Sequence, residues 1–344
     1  MLDFSVMKDS EKRLVLLVEE VVYRLYPSLF EGETCLRITA SEQEKNWSTV
    51  AKLIDQLLAM EVDRNTFLLG VGGGVTTDLC GFVASIYKRG ISFGFVPTTL
   101  LAMVDASIGG KNGINWGLCK NEVGLIRMPE QILLDLDFLR TLPVKEFYSG
   151  VAELLKVFLL ADRDSYAVAM DLFKRVPDPS VLLDGTDRQR FEELVQEAIR
   201  IKERIVGQDT YEAGPRRLLN FGHTLGHALE LILEEEGLGC THGQAVAWGM
   251  VQMVRWSVRR VGLAQTTAMQ LVSDFRSVGL PVDWQDLGLD MPALLRVKKK
   301  MASVLCQDKK REGDALHMVL LKEMGIPVVL RIPLTEVEEL LDRL

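Results

Sequence analysis

Residues 66–90, TFLLGVGGGVTTDLCGFVASIYKRG, are the stretch that decides the fold of this chain. An apolar run typical of a buried strand leads into Gly72, Gly73 and Gly74, and a helical pattern follows from Val75. Glycines let a backbone turn tightly, and the free N–H groups at a helix start favour an anion such as a pyrophosphate. The stretch is not G-x-G-x-x-G, and no acidic residue closes a following strand at the distance expected for a ribose contact. These residues alone leave cofactor binding and a merely tight turn as equal alternatives.

The segments around this turn repeat the same alternation of β-rich runs and helical patterns. RLVLLV precedes EEVVYRLY, TCLRITA precedes WSTVAKLIDQLLAME, and ISFGFVP and QILLDLD follow downstream. We therefore predict an α/β domain with a parallel, Rossmann-like sheet over residues 1–142. Beyond it, runs such as FYSGVAELLKVFLLAD and AVAWGMVQMVRWSVRR repeat apolar residues at spacings of three and four, which predicts a mostly α-helical domain over residues 143–344. Ligands are expected in the cleft between the two domains.

Composition sets the class of protein. The chain has 344 residues, 48% hydrophobic and 26% charged, which suits a globular protein with more than one core. A net charge of −8 argues against a nucleic-acid or anionic-membrane partner. The five cysteines form no C-x-x-C pair, so we predict reduced thiols. The first residues lack a signal-peptide pattern, and no apolar run approaches the ~20 residues of a membrane span, so we expect a cytoplasmic protein.

Residues 96–121, VPTTLLAMVDASIGGKNGINWGLCKN, hold too many glycines and polar side chains for a core segment. We interpret the segment as a ligand loop. A lysine is usually solvated, but Lys111 follows a Gly-Gly pair that would let the backbone crowd a ligand. The candidate ligand-binding residues of the segment are Thr98, Thr99, Asp105, Gly109, Gly110, Lys111, Lys120 and Asn121.

The histidines suggest a metal site. The chain has four, and three stand close together: His223 and His227 in NFGHTLGHALE, and His242 in THGQAV. Positions 223 and 227 lie one helical turn apart on the same face. The spacing permits a metal clamp, although the glutamate of an H-E-x-x-H motif is missing. The three histidines could instead divide into metal ligands and acid–base groups. Cys240 is interpreted as packing rather than as a ligand.

A carboxylate candidate comes from SGVAELLKVFLLAD, an apolar helix that carries Glu153 and Lys156. Their spacing also permits an ordinary surface ion pair. Because apolar residues surround them, we expect both charges to be buried, where they need a partner or a metal. Near the C-terminus, CQDKKREG offers Asp308, Lys309 and Lys310, which alone would be a charged turn.

Eight ordered motifs together resemble the 3-dehydroquinate synthase family of sugar-phosphate cyclases. They span about residues 15–327 and comprise SEQEK, GGGVTTDLCGF, VPTTLLAMVDASIGGK, LCKN, LPVKEFYSGVAELLK, LLNFGHTLGHALE, HGQAVAWGM and DKKREG. The resemblance implies an NAD-binding α/β domain, a helical metal-binding domain and a homodimer.

The resemblance also implies roles for individual residues. Zinc, or cobalt in its place, would be held by Glu153, His223 and His242, while His227 would bind substrate or handle a proton. Arg89 would reach the phosphate from the neighbouring subunit. The residues expected at the substrate are Asp105, Lys111, Asn121, Lys156, Lys202, Arg216, Asn220, Lys309 and Lys310. The residues expected at NAD+ are Glu42, Lys45, Gly73, Gly74, Asp78, Thr98, Thr99, Asp105, Lys111, Lys120, Phe138 and Thr141.

The implied reaction converts 3-deoxy-D-arabino-heptulosonate 7-phosphate to 3-dehydroquinate and phosphate. NAD+ would oxidise a secondary hydroxyl transiently, so that phosphate is eliminated, and NADH would return the hydride before ring opening and aldol closure. The alternatives are a metal- and NAD-dependent polyol dehydrogenase, a cyclase for another sugar phosphate, and a non-catalytic nucleotide-binding homologue. Two departures from the family pattern stand near the expected sites: Thr77 replaces a glycine, and Gln244 replaces the glutamate of H-G-E-A.

Overall fold

The computed structural model describes residue 4 and residues 12–117, 119–305, 311–312 and 315–342. The chain divides into two compact units, Met1–Pro143 and Val144–Leu344. The first is an α/β unit and the second is mostly helical, which confirms the predicted fold class.

The first unit alternates strands and helices in the predicted order. Its strands are β1 (Arg13–Glu19), β2 (Cys35–Ile38), β3 (Thr66–Gly72), β4 (Ser92–Pro97), β5 (Lys111–Trp116), β6 (Cys119–Ile126) and β7 (Gln131–Ile132). Its helices are α1 (Glu20–Leu25), α2 (Trp47–Ala59) and α3 (Gly74–Ile86).

Five of these strands form a parallel sheet in the order β2-β1-β3-β4-β7. The central strand, β3, is buried at every residue, as expected for a parallel sheet whose two faces are covered. Alternate residues of β1 enter different cores: Val15 and Leu17 pack with residues of α2 and α3, whereas Leu16 and Val18 pack on the opposite face. The sheet therefore carries the carboxyl ends of β1, β3 and β4 to the same edge.

Two segments differ from the predicted pattern. The run QILLDLD contributes only the two-residue β7, because the side chain of Asp135 accepts from the N–H of Asp137 and starts a 3₁₀ helix over Leu136–Thr141. The predicted ligand loop is largely regular structure: one π-helical turn over Ala102–Ala106, then an antiparallel hairpin of β5 and β6.

Close backbone packing explains the glycines of that hairpin. Gly113 pairs with Gly124, and a Cβ added to Gly124 would lie 2.6 Å from the carbonyl oxygen of Asn112. Gly110 has φ +65°, and its added Cβ would lie 2.9 Å from the backbone of Arg127. Close packing of the hairpin therefore accounts for these glycines, whether or not a ligand also contacts the segment.

The second unit contains the long helices that the apolar spacing predicts. Its helices are α4 (Val144–Ala161), α5 (Arg163–Arg175), α6 (Pro179–Asp184), α7 (Arg188–Gln208), α8 (His223–Glu235), α9 (His242–Arg260), α10 (Gln265–Ser277), α11 (Met291–Leu305) and α12 (Leu334–Asp342). Its strands are β8 (Arg311–Glu312), β9 (Ala315–Glu323) and β10 (Ile326–Pro333), which form an antiparallel sheet in the order β10-β9-β8. Within the described part of the chain, no helix combines the length and the apolar character needed to cross a bilayer.

Candidate active site

Three helices of the second unit bring the predicted metal ligands together. Helix α4 carries Glu153, α8 begins at His223 and also carries His227, and α9 begins at His242. Glu153 is completely buried, His223 is 8% exposed and His227 is exposed. The sequence pattern thus places two of the three histidines at the first turns of two adjacent helices.

Glycines allow α8 and α9 to meet backbone to backbone. Gly222, which precedes α8, has φ +80°, and a Cβ there would lie 2.7 Å from the carbonyl oxygen of Val246. A Cβ at Gly226 would lie 3.0 Å from the backbone of Ala245. Larger residues would push the helices apart, so this contact sets the separation of His223 and His242.

A similar contact joins α9 to α4. A Cβ at Gly243 would overlap the backbone of Ser149, whose hydroxyl accepts a hydrogen bond from the Gly243 N–H at 2.9 Å. Thr241 and Gln244 form a capping box, in which each side chain bonds to the backbone of the other residue. Gln244 therefore performs the capping that a glutamate could perform at this position.

The ligand atoms converge at distances that suit a tetrahedral metal ion. Oε1 of Glu153 lies 3.5 Å from Nε2 of His223 and 3.4 Å from Nε2 of His242. Zinc bonds of about 2.0–2.1 Å at tetrahedral angles separate ligand atoms by about 3.4 Å. Lys156 forms an ion pair with Oε2 of Glu153, but neither carboxylate oxygen has a hydrogen-bond partner among the described residues. An otherwise unsatisfied buried carboxylate fits a site for a cation.

His227 offers a second way to complete the ligand set. Ligand atoms of His223, His227 and His242 lie within 4.8 Å of one another, so three imidazoles could also surround an ion. The spacing to Glu153 is tighter, and Glu153 is buried whereas His227 is exposed. We favour the glutamate set, because its shorter distances match metal coordination and because Oε1 of the buried Glu153 faces both Nε2 atoms.

Sequence reasoning missed a further carboxylate at this cluster. Oε2 of Glu230 lies 3.1 Å from Nδ1 of His242, so the second nitrogen of this ring is held by a carboxylate. Such pairs orient a metal-binding histidine and raise its basicity. Glu230 stands three residues after His227 and seven after His223, on the same face of α8, and that spacing was the available signal.

The two carboxylates alter the proton affinity of His242. Burial alone would lower its pKa, but Glu230 and Glu153 outweigh burial and raise the pKa to about 10. The nearby Cys240 behaves differently: burial, followed by repulsion from Glu230, raises the pKa of its thiol to about 11. Its Sγ lies 3.4 Å from the carbonyl oxygen of Thr241, which accepts the thiol hydrogen bond. A thiol that holds its proton at neutral pH is a poor metal ligand.

The other predicted side chains of this unit lie in α7 and in the 3₁₀ helix Pro215–Asn220 before α8. Lys202 and Arg216 are buried to 5% and 3% exposure. The guanidinium of Arg216 donates to the carbonyl oxygen of Thr210 at 2.6 Å. Asn220 donates to the carboxylate of Glu212, a second residue that the sequence reading missed. Lys309 and Lys310 lie outside the described residues.

The glycine turn of the first unit has an acidic partner that the sequence did not reveal. Oε2 of Glu19, at the carboxyl end of β1, accepts from the N–H of Gly73 at 3.1 Å. Burial raises the pKa of Glu19, and this bond offsets part of the rise. Thr98 extends the turn, because its N–H donates to the carbonyl oxygen of Gly72 at 3.0 Å. Thr77 is buried and donates to the carbonyl oxygen of Gly74, so its hydroxyl is used within α3.

A second group of predicted cofactor residues forms a polar cluster beside the hairpin. Lys45 is 4% exposed, and its Nζ contacts both the carboxylate of Asp78 on α3 and the amide oxygen of Asn121 on β6. Burial raises the pKa of Asp78, while the charge of Lys45 lowers it in part. Glu42 joins the same cluster through Asn115, which the sequence reading did not single out.

The remaining predicted residues of this unit are distributed over several elements. Phe138 is 2% exposed and packs edge-on against Tyr26, whose hydroxyl lies 2.8 Å from that of Thr141. The others are Gly74 at the start of α3, Thr99 after β4, Asp105 in the π-helical turn, Lys111 at the start of β5, Lys120 on β6, and Arg89, which has φ +66°.

Family models and individual relatives both connect this chain to 3-dehydroquinate synthases. The model of the 3-dehydroquinate synthase N-terminal domain matches residues 35–149, and that of the C-terminal domain matches residues 150–311. A 3-dehydroquinate synthase of Latilactobacillus sakei subsp. sakei (strain 23K) is 36% identical over 335 residues, which cover 95% of this chain and 87% of the relative. One from Streptococcus pneumoniae (strain ATCC 700669 / Spain 23F-1) is 36% identical over 302 residues, covering 87% and 79% respectively.

Solved structures share the fold. A 2-deoxy-scyllo-inosose synthase in complex with carbaglucose-6-phosphate, NAD+ and Co2+ matches with a TM-score of 0.83 and 25% identity, over 98% of this chain and 92% of that chain. A 2-epi-5-epi-valiolone synthase from Streptomyces hygroscopicus subsp. jinggangensis 5008, with NAD+ and Zn2+ bound, matches with a TM-score of 0.82 and 26% identity over the same shares.

Proposed function

Because this chain belongs to the 3-dehydroquinate synthase family, we propose that it converts 3-deoxy-D-arabino-heptulosonate 7-phosphate to 3-dehydroquinate and phosphate, with its histidine–glutamate cluster as the metal centre. The single observation that carries the proposal is the convergence of Glu153 Oε1 with the Nε2 atoms of His223 and His242 at 3.4–3.5 Å. The ligands of this site would be these three atoms, with zinc or cobalt as the metal.

The two cofactors would supply chemistry that side chains lack. Bound zinc would act as a Lewis acid toward a substrate oxygen, and bound NAD+ would act as a hydride acceptor that is regenerated in each turnover. The side chains of the protein would orient the two cofactors and the substrate, and would accept or donate protons. Glu230 would hold His242 in the orientation in which Nε2 faces Glu153.

Exposed His227 is suited to contact substrate rather than to complete the metal site. Its ring lies 5.0 Å from that of His223, and it is the exposed member of the histidine cluster. Lys156 sits against Glu153 and would bring a positive charge to a substrate oxygen. We propose that Lys202, Arg216 and Asn220 bind the carboxylate and hydroxyl groups, and that Lys309 or Lys310 adds a further cationic contact.

In the α/β unit the proposed cofactor contacts lie around the glycine turn and the Lys45 cluster. The amides of Gly73 and Gly74, at the start of α3, would face the pyrophosphate. The other proposed cofactor contacts are Glu42, Lys45, Asp78, Thr98, Thr99, Lys120, Phe138 and Thr141. Asp105 and Lys111 are proposed to contact both cofactor and substrate, and Asn121 to contact the substrate.

Release of phosphate without net formation of NADH tests this function. The purified protein, loaded with zinc, is incubated with NAD+ and the heptulosonate phosphate while phosphate and absorbance at the NADH band are followed together. We expect phosphate in many-fold excess over enzyme and no lasting NADH signal. His317→Ala is the matched control, because His317 is the one histidine outside the cluster, and it should retain turnover.

The alternatives give different outcomes. Accumulation of NADH with a simple polyol would establish a dehydrogenase instead. Lack of stoichiometric divalent metal in the purified protein, with no activity gained on adding zinc or cobalt, would favour a non-catalytic nucleotide-binding protein. Phosphate release from another sugar phosphate at a higher kcat/KM would point to a different cyclase.

We also propose a cytoplasmic homodimer in which Arg89 reaches the phosphate in the partner's site. Mixed dimers test the arrangement directly. Arg89→Ala and His227→Ala would each be inactive alone, but a mixed dimer would contain one site with both residues intact. Activity regained on mixing supports the proposal, and inactive mixed dimers would show that Arg89 serves its own subunit.

A further inference from the structure

One residue outside every predicted site connects two groups of proposed ligand contacts. Asn115 lies near the end of β5 and is half-buried. Its Nδ2 donates to the carboxylate of Glu42 at 2.8 Å and to the Glu42 carbonyl oxygen at 3.2 Å. Its own N–H donates to the carbonyl oxygen of Lys45 at 2.8 Å. Asn115 therefore forms hydrogen bonds at both ends of the short 3₁₀ turn Glu42–Glu44, which precedes α2.

The same side chain fixes the backbone of the hairpin. Oδ1 of Asn115 accepts from the N–H of Asn121 at 2.8 Å, and Asn121 has φ +54°. A non-glycine residue in the left-handed region needs support from its surroundings. Asn115 supplies it: the nitrogen of its side-chain amide contacts the turn, and the oxygen contacts the N–H of Asn121.

Lys45 adds a direct contact between the two groups. Its ammonium touches the carboxylate of Asp78 and the amide oxygen of Asn121, and it is almost fully buried. Lys45 and Asp78 are proposed cofactor contacts, whereas Asn121 is a proposed substrate contact. Lys45 bonds to both of the other side chains, so a ligand that takes the place of Asn121 on the ammonium frees the Asn121 amide oxygen.

We infer that Asn115 is a positioning residue that couples cofactor binding to substrate binding, a role that rests on the proposed function of Glu42, Lys45 and Asn121. Cofactor binding draws Lys45 away from the side chain of Asn121, which becomes available to the substrate. Asn115 meanwhile keeps the backbone of Asn121 in place and ties it to Glu42. Each ligand consequently strengthens binding of the other, because the two share one rearrangement.

The coupling can be measured without turnover. NADH cannot accept a hydride, so NADH and the heptulosonate phosphate form a complex that does not react. The dissociation constant of NADH is measured by fluorescence with the zinc-loaded protein, first alone and then with saturating sugar phosphate. For the wild-type protein we expect about tenfold tighter NADH binding in the second case, within the usual range of coupling between two sites.

Two substitutions separate the contact of the Asn115 side chain to Glu42 from its contact to Asn121. Asn115→Ala removes both and should bring the ratio of the two dissociation constants to within about twofold of one. Asn115→Asp keeps an acceptor for Asn121 but places a carboxylate against Glu42, so it should also lose the coupling while binding the sugar phosphate alone as the wild type does. Glu122→Gln, at the exposed neighbour of Asn121 on β6, is the matched control and should keep the tenfold ratio.

A general loss of stability would lower the melting temperature without changing this ratio, so the ratio separates positioning from folding. A wild-type ratio near one overturns the inference, as does an unchanged ratio in Asn115→Ala or Asn115→Asp. The phosphate-release assay is run on the same wild-type protein. If phosphate is released and the ratio does not depend on Asn115, only the coupling is wrong; if none is released, the proposed function fails first.

Discussion

The metal cluster of the helical unit and the Lys45 cluster of the α/β unit are positioned in different ways. Backbone contacts through Gly222, Gly226 and Gly243 hold the helices that carry the metal cluster, where Glu153 pairs with Lys156 and faces the Nε2 atoms of His223 and His242. In the other cluster, side chains hold one another, and Lys45 bonds to Asp78 and Asn121.

The two arrangements predict different responses to a bound ligand. A buried carboxylate in a rigid setting gains an interaction when a cation binds, with little to rearrange. In the Lys45 cluster, a ligand that displaces Asn121 from Lys45 exchanges one bond for another, which costs affinity but lets one ligand sense another. Substitutions should therefore act on metal affinity in the first region and on ligand coupling in the second.

The largest effect is expected from removing a metal ligand. Zinc sites with four ligands bind with about 10–16 kcal/mol, so the loss of one ligand should weaken binding by about 10²–10³-fold. We expect this for His223→Ala, measured by competition with a chelator, whereas His227→Ala should keep the metal and lose turnover. If His227→Ala lost the metal equally, His227 would be a metal ligand rather than a substrate contact.

A smaller effect is expected at Glu230, which contacts the proposed ligand His242 and is not itself a proposed ligand. Glu230→Gln should weaken zinc binding by about 10–100-fold, because His242 loses its charged partner while the side chain keeps its size. The same chelator competition measures it. Glu234→Gln, farther along α8, is the control, and an equal loss there would show that the effect is not specific to the His242 contact.

Gly243 tests the rigid packing of the first region. Gly243→Ala should destabilise the protein by about 1–3 kcal/mol, because the added methyl overlaps the backbone of Ser149. Gly207→Ala is the matched control within α7: among the described residues outside its own turn of helix, nothing lies within 4 Å of the added Cβ, so it should stabilise by about 0.5–1 kcal/mol. Denaturant unfolding of the two variants should thus change in opposite directions, and equal changes would contradict the packing argument.

The raised pKa of His242 predicts a pH dependence of metal binding. With a pKa of about 10, His242 carries a proton at neutral pH in the metal-free protein and must release it to coordinate zinc. Zinc affinity should therefore gain about tenfold per pH unit from this group as pH rises toward 10. Calorimetry of zinc binding in buffers of different ionisation enthalpy should detect the released proton. Zinc binding without proton release would contradict the proposed role of His242 as a ligand.

The raised pKa of His242 makes the stability of chelator-treated protein change with pH in the opposite direction from zinc affinity. The folded pKa of His242 lies above the ordinary histidine value of 6.5, so its contribution to folding is complete below about pH 6.5 and disappears as pH rises through about 10.

The smallest effect is expected at the glycine turn of the α/β unit. Gly73 has φ −76°, and its added Cβ would lie 3.2 Å from a methyl of Thr99, a side chain that can shift. Gly73→Ala should therefore cost less than about 1 kcal/mol in stability, well below Gly243→Ala. A loss as large as that of Gly243→Ala would show that the α/β turn is as rigid as the helical packing.

Much of this arrangement could be predicted from local sequence. The alternation around TFLLGVGGG predicted the parallel sheet, and two charges on an apolar helix predicted buried Glu153. What local patterns could not predict were contacts made by tertiary pairing. Asn115 acts through a turn some seventy residues away, and Glu19 reaches Gly73 from a different strand. Glu230 had a signal, its spacing from the histidines, but it resembles the acidic residues that follow it on α8.

The capping box of α9 has an electrostatic consequence. Gln244 caps the first turn of the helix with an uncharged amide, so it adds no negative charge to those of Glu153 and Glu230, which contact the proposed ligand histidines. These two would balance the charge of a divalent ion. With the ammonium of Lys156 included, the ion and these three side chains would carry a net charge of about +1. A positive site favours an anionic sugar phosphate over a neutral polyol.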